Sequence, residues 1–379
     1  MAQTQVGISM ASFTVNSTEF LNAINSIFPI VPNKPPRDIL KCFRIKARQG
    51  SNDSLEIYAT DLETFATAKL EDSVMVQAAG DFVVPAAVLL DYARSLDGGN
   101  ATFLVTEQEA LEITEGEAKF SVGLQDIDEY PDFPDRPNDI NWVTIPLPEF
   151  SKALNQVIFA VADKGSPRWG TLNAVCLETG AQEISLIGTD QVRASITNIR
   201  IPELDRESQC LVPSKTLGLI PKMFQSEEIQ LSLESSNNLI FRDETTEVLI
   251  RLLQGAYPPV KDFIQNHPRQ VAIEAGDFLK EVKKSALATD NNSPLKLELT
   301  TNKIKLSAKT RKQRRTVRVE FPLEYDGEDF KTALNCKFLI DMLKAASNAE
   351  PLEMHFNQSN NPLQFTQDGF LHLIVPQPI

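Results

Sequence analysis

Three stretches of this chain carry nearly the same pattern, and any fold has to accommodate that repetition. A segment with helical spacing begins at Phe20 (FLNAINSIF), returns at Phe150 (FSKALNQVIFAV) and appears again at Phe278 (FLKEVKKSAL), at intervals of 130 and 128 residues (150 − 20 and 278 − 150). A second marker keeps step: VVPAAVLLDYARSL around Pro85, LVPSKTLGLIPKMF around Pro213 and ALNCKFLIDMLKAA around Asn335. A third, Thr60-Asp61 and Thr189-Asp190, recurs after 129 residues (189 − 60). Three copies of one domain follow, and 379 residues are enough for each copy to bury its own core. The period is longer than that of any solenoid repeat.

Inside each copy the periodicity changes between helix and strand. Phe150, Ala153, Leu154, Val157, Ile158 and Val161 share one helical face opposite Ser151, Lys152, Asn155 and Gln156, and Pro148 suits the first turn. Leu295, Leu297 and Leu299 alternate with polar residues, Thr301-Asn302-Lys303 supply a turn, and Ile304, Leu306 and Ala308 resume the alternation, which predicts a hairpin. Ile229 to Leu233 with Leu239 to Phe241, and Phe103 to Val105 with Leu111 to Ile113, repeat the design. The predicted class is α+β, each domain having two helices packed on antiparallel sheet. Proline-rich stretches, DIDEYPDFPDRPND and GAYPPVKDFIQNHP, place the boundaries so that the domains span 1–139, 140–265 and 266–379.

Cys42, Cys176, Cys210 and Cys336 are scattered without paired spacing and read as reduced thiols. The opening MAQTQVGISMASF lacks a basic segment followed by an apolar core, and no apolar run approaches membrane-spanning length, so a cytoplasmic location is expected. Phosphate-loop, dinucleotide, nucleophile-elbow and HExxH motifs are all missing. His267, His355 and His372 are the only histidines and are far apart in sequence. The chain is therefore expected to be neither an enzyme nor dependent on a metal or other cofactor.

With these landmarks assembled, the sequence resembles the bacterial DNA polymerase III beta subunit, the DNA sliding clamp family, from about Phe13 to Pro376. The carriers are YATDLE, GDFVVPA, FSVGLQDIDEYP, IFAVADKGSPRWGTLNAVCLE, GTDQVRAS, RLLQGAYP, LNCKFLIDML and HLIVP, in that order. The resemblance implies a head-to-tail homodimer closed into a ring around duplex DNA, binding it without sequence preference. Such a ring tethers the DNA polymerase III catalytic subunit, is opened by a clamp loader complex, and receives other proteins that carry a clamp-binding motif. A net charge of −14 argues against an ordinary DNA binder, but a ring needs only a modest basic lining. A scaffold that kept the fold and the docking groove without encircling DNA is the rival, and ring closure separates the two.

By family match, DNA contacts fall on Lys34, Arg168, Trp169, Lys215 and Lys222. The groove for partner peptides falls on Leu172, Thr189, Gln191, Val192, Arg193, Ala194, Pro258, Leu373, Val375 and Pro376, and the dimer contact on Phe120 and Val122 against Ala286 and Leu287. Several positions depart from the family. Ala87 stands where a basic residue is usual, and the usual TDGHRLA reads TDQVRAS. The chain ends Val375-Pro376-Gln377-Pro378-Ile379, without the usual methionine-proline and basic residue. Pro221 falls inside the expected helix from Ser214 to Phe224 and should break it. The run from Lys309 to Arg318 is the densest basic patch and reads equally as a contact surface or a charged edge strand.

Overall fold

The computed structural model describes residues 10–134, 140–162, 170–232, 237–289, 294–309 and 315–378. They form two compact units, Met1–Leu147 with Lys215–Leu252, and Pro148–Ser214 with Leu253–Ile379. Among the described residues, no helix is long and apolar enough to cross a membrane.

In the first unit an antiparallel sheet of five strands has the order Val74–Ala78, Ser12–Asn16, Asn100–Val105, Ala110–Glu115, Ala118–Gly123. Strict alternation puts Ala101, Phe103 and Val105 inside and leaves Asn100, Thr102 and Leu104 outside. Phe103 stacks on Phe13 at 4.8 Å, and Phe20 from the helix Ser17–Ile27 packs on it at 4.6 Å. Phe20 is fully buried, and sealing such a ring from water stabilises by roughly 1.5–3 kcal/mol, which gives the recurring phenylalanine its physical meaning. Asn16 caps that helix by accepting from the Thr18 and Glu19 amides.

The second sheet of this unit has eight strands. Cys42–Arg48, Ser54–Thr60, Thr64–Leu70 and Gly80–Pro85 come from the first repeat, while Trp142–Pro146, Glu228–Ser232, Asn238–Arg242 and Thr246–Arg251 come from the central one. The seam is an ordinary antiparallel ladder, with Thr246 opposite Ala68 and Leu249 opposite Phe65.

The second unit repeats this plan. Its eight-stranded sheet joins Ser208–Pro213, Ala174–Gly180, Glu183–Thr189 and Arg193–Arg200 of the central repeat to Phe370–Ile374, Leu363–Gln367, Leu352–Phe356 and Arg269–Ile273 of the third. A four-stranded sheet, Thr316–Pro322, Lys303–Lys309, Leu295–Thr300, Phe330–Leu334, packs under the helices Ala275–Ala286 and Cys336–Ala345. The central repeat is thus one unit of sequence shared between two compact units, because its strands pair outward in both directions.

The predicted hairpins form. Leu295–Thr300 pairs with Lys303–Lys309 across Thr301 and Asn302, and Asn302 takes the left-handed conformation (φ 56°) that a two-residue turn requires. Phe103 opposes Ile113, and Leu231 opposes Phe241; of the connection between the latter two strands, Ser235 and Ser236 lie outside the described residues, and Asn238 already belongs to the second strand. The helix from Leu147 is shorter than its apolar periodicity. It ends at Val157, and Ile158–Ala160 tighten into a 3-10 turn, so Ile158 and Val161 lie beyond it. Gly188 sits against this end: a Cβ there would lie 2.4 Å from the Val157 carbonyl oxygen, so only glycine fits.

Pro221 has the expected effect. The helix after Pro213 is two four-residue pieces, Ser214–Leu217 and Ile220–Met223, with Pro221 in the first turn of the second. A proline tolerated at a helix start cannot donate to the preceding turn, so the break falls just before it.

All four cysteines are free thiols, three of them buried. Burial pushes the Cys42 thiol up to about 11 and Cys210 to about 12, which keeps both protonated and unreactive near neutrality.

Candidate functional site

The two Thr-Asp landmarks are one local structure built twice. In the first, Thr60 Oγ1 accepts from the Leu62 amide (2.9 Å) and donates to the Thr64 carbonyl (2.7 Å), while Asp61 Oδ1 accepts from the Glu63 and Thr64 amides (3.1 and 2.8 Å). In the second, Thr189 Oγ1 accepts from the Gln191 amide (3.0 Å) and donates to the Arg193 carbonyl (2.7 Å). Asp190 Oδ1 accepts from the Val192 and Arg193 amides (3.1 and 3.0 Å). Both turns need a left-handed residue, Leu62 at φ 77° and Gln191 at φ 73°. Glycine, usual in the family at position 191, would be unstrained there, whereas a residue with a Cβ costs about 1–2 kcal/mol.

What the second turn adds is Arg193. Its side chain is 6% exposed, and it donates from Nε to Asp190 (2.9 Å) and from Nη1 to Asp341 (3.0 Å). The guanidinium also lies over the Phe338 ring, 4.3 Å from its centroid, and near Phe159 at 5.7 Å. Asp341 and Phe338 belong to the helix Cys336–Ala345, so the turn is fastened to an element 148 residues away.

The strand after this turn pairs with the last strand of the chain. Ala194 lies opposite Leu373, Arg193 opposite Ile374, and the Val375 amide continues the ladder to the Val192 carbonyl at 2.9 Å. Ala194 and Leu373 face the same side as Thr189 and Ile187, and they pack with Ala174, Cys176, Leu211 and Val260. The structure therefore brings Thr189, Gln191, Val192, Arg193, Ala194, Leu373 and Val375 into one neighbourhood. Pro258 joins it through the following segment: its carbonyl accepts from the Val260 amide, and Tyr257 Oη donates to the Ile187 carbonyl at 3.2 Å. Leu172, in the turn Gly170–Asn173, is 2% exposed and has the burial of a core residue. Pro376 follows Val375, and the Gln377 amide donates to the Ala333 carbonyl.

Thr189, Arg193, Ala194 and Leu373 are buried, whereas Val192 and Val375 present 46% and 42% of their surface to water. Sequence reasoning missed Phe263 and Ile264. Phe263 ends the 3-10 turn Val260–Phe263, whose Val260 packs beside Ala194 and Leu373, and Ile264 follows it; Phe263 is 57% exposed. An apolar aromatic next to the YPP landmark was the available signal.

On the other side of the Arg193–Arg200 ladder, His372 is fully buried between Phe159 and Phe370. Its Nδ1 is 2.6 Å from Ser195 Oγ, and Nε2 has no hydrogen-bond partner among the described residues. Burial, with the nearby Arg193 charge, pulls its pKa down to about 3. The imidazole is then neutral in the folded chain while the unfolded chain protonates near 6.5, so stability is lost as pH falls from about 6.5 toward 3 and is unaffected above that window. Between pH 7 and pH 5 this one residue should cost about 2 kcal/mol. Urea titrations at the two pH values should show that loss in the native chain and a smaller one in His372→Gln; equal losses would remove His372 as the cause.

Lys34, Lys215 and Lys222 are exposed residues of the first unit, and none makes an ion pair among the described residues. Arg168 and Trp169 lie outside the described residues. Ala87 is exposed on the helix Ala86–Arg94, whose only cation, Arg94, pairs weakly with Asp91 at 3.9 Å. Phe120 and Val122 share one face of Ala118–Gly123, a strand at the edge of the five-stranded sheet, and Phe120 stacks on Tyr92 at 4.8 Å. Ala286 ends the helix Ala275–Ala286, and Leu287 just after it is 72% exposed. Of the basic run, Lys309, Arg315 and Arg318 are described, and Lys309 and Arg318 belong to paired strands.

Comparison with known proteins decides the family. The N-terminal, central and C-terminal domains of the DNA polymerase III beta subunit match residues 11–134, 144–259 and 263–375 in order. The chain belongs to the DNA polymerase III beta subunit family. The beta sliding clamp of Staphylococcus aureus is 24% identical over 97% of this chain and 99% of its own length. The fold is that of the Bacillus subtilis DNA polymerase sliding clamp, with a TM-score of 0.89 at 19% identity over 98% of this chain and all of the other. It is also that of the Pseudomonas aeruginosa sliding clamp solved bound to griselimycin, with a TM-score of 0.87 at 18% identity over the same share of each chain.

Proposed function

We propose that this protein is a DNA sliding clamp, a processivity factor that encircles duplex DNA and holds the replicative polymerase on it. The observation that carries this reading is the in-order match of all three family domains over nearly the whole chain. Two copies close head to tail into a ring of six repeats, taken as 1–139, 140–265 and 266–379 in each copy. The strand bearing Phe120 and Val122, which among the described residues ends its sheet, is the natural closing surface, since a sheet edge invites another strand or an apolar cover. Its complement is the apolar step formed by Ala286 and Leu287 of the partner subunit.

Retention on DNA is topological, so phosphate contacts from Lys34, Arg168, Trp169, Lys215 and Lys222 need only guide the duplex; tighter ones would slow sliding. The DNA polymerase III catalytic subunit, the clamp loader and other motif-bearing proteins dock at the surface around Val192, Ala194, Pro258, Leu373 and Val375, to which we add Phe263. The clamp acts in the cytoplasm and performs no chemistry of its own. Electron microscopy of the purified protein should show closed rings of two 42.2 kDa chains with six lobes and an open centre. Single arc-shaped chains at concentrations that saturate a dimer would sink this reading.

A further inference from the structure

The face that carries Ala194 and Leu373 does not stop there. Two residues along the same strands, roughly 7 Å further, Ile196 lies opposite Leu371, and these two line the floor of an open groove of about 760 Å3. Ile264, Ala272, Pro351 and Phe370 add to its apolar lining. Val260 packs against Ala194 and Leu373 while Ile264, four residues on, borders the new groove, so one short segment flanks both. Among the described residues of this unit, five large apolar side chains are exposed: Val192, Phe263, Ile264, Leu287 and Val375. Val192 and Val375 adjoin Ala194 and Leu373 on the paired strands, Ile264 borders the groove and Phe263 directly precedes it in the chain, and such a concentration of wet apolar surface marks a contact site rather than scatter.

The rim is acidic. Glu183, Glu350, Glu353 and Asp368 border the groove, against one lysine, Lys261, which is already engaged by Glu178 at 2.7 Å. Asp368 meets Lys152 at 3.1 Å, but both side chains are more than half exposed, so that pair does little to cancel the field.

We infer that this groove is an extension of the peptide-docking surface and takes a basic, apolar stretch of the same partner polypeptide, a few residues beyond the segment held at Ala194 and Leu373. The inference rests on the docking reading above. One apolar side chain of the partner seats on Ile196 and Leu371, and flanking lysines or arginines meet the four carboxylates. Rim charges of this kind act through attraction that salt screens.

The test uses the full-length protein immobilised for biolayer interferometry, with the purified DNA polymerase III catalytic subunit of the same organism as the probe. Glu350→Lys with Glu353→Lys should weaken binding at least fivefold at about 50 mM salt, and the difference should shrink at about 500 mM. Ile264→Ser, which changes no charge, should weaken it about threefold at both salt concentrations, in keeping with the burial of the 39% of that residue still exposed to water. Val375→Asp reports on the docking surface itself and should abolish binding. Full affinity in the charge variant and in Ile264→Ser, with binding lost in Val375→Asp, overturns the extension and leaves the docking reading standing. Full affinity in all of them overturns that reading instead. A concentration-dependent rise in mass of the native chain beyond a dimer that Glu350→Lys with Glu353→Lys removes would assign the groove to a second copy of this chain and overturn the inference.

Discussion

Replacing Arg193 by methionine is expected to cost about 3–5 kcal/mol of stability in the unit that holds it and to abolish peptide docking with it. The guanidinium is 6% exposed and answers two carboxylates, Asp190 at 2.9 Å and Asp341 at 3.0 Å, whose own side chains are only 15% and 21% exposed. Removing the cation leaves two poorly hydrated negative charges near each other, a larger penalty than the loss of two hydrogen bonds. The residual access of water to both carboxylates places the expected value toward the lower end of that range. Urea unfolding at pH 7 measures it, and a loss below about 1 kcal/mol would mean that the pair behaves as an ordinary surface ion pair. Asp341→Asn should show part of the same loss, and the double variant should lose less than the sum, because the two substitutions remove one shared interaction. Docking should follow stability here, since Arg193 fixes the turn from which Val192 and Ala194 project.

The same arginine shows where the sequence stops being legible. The Thr-Asp landmarks could be seen as a repeat, and the structure supplies the reason: threonine and aspartate side chains replace the backbone bonds of a left-handed turn, and both copies need the same two residues. That chemistry is local. Helices announced by Phe20, Phe150 and Phe278, the hairpin at Thr301-Asn302 and the break before Pro221 are local too, and each is found. The partner of Arg193 is not local. Nothing in the sequence around position 193 points to Asp341, and nothing around Phe65 points to Leu249, because such pairings are decided by how strands of neighbouring repeats align. For the same reason three sequence repeats condense into two compact units. A smaller difference comes from crowding: apolar spacing continues through Ile158 and Val161, but the strand at Gly188 meets the helix end so closely that the backbone tightens there.

The candidate site was legible to the extent that side-chain type carried it. Val192 and Val375 are exposed apolar residues beside a buried ladder, as a docking surface requires, whereas Leu172 could not be told from core by its sequence and is buried. Ile196, Leu371 and Ile264 gave no separate signal, since they read as strand and linker; only their arrangement on one face shows a groove.

Reversing two lysines should separate the clamp's two surfaces. Lys215 and Lys222 are exposed, and among the described residues neither pairs with a carboxylate, so Lys215→Glu with Lys222→Glu breaks no internal ion pair and should change stability by less than about 0.5 kcal/mol per site. The effect on DNA should be large, because each chain then presents two like charges to the phosphates instead of two opposite ones, and a dimer doubles the change. Affinity for a short linear duplex, read by fluorescence anisotropy at about 50 mM salt, should fall at least tenfold, and the dependence of log affinity on log salt should flatten by about 0.9 for each phosphate no longer neutralised. Binding of the polymerase catalytic subunit should be unchanged, since the residues proposed for docking belong to the other compact unit. A linear duplex is the informative substrate, because a ring loaded on a closed circle is held by topology even when its grip on the phosphates is weak. An unaltered salt slope would remove both lysines from the DNA path, and equal loss of DNA and polymerase binding would mean that the two surfaces are not separate.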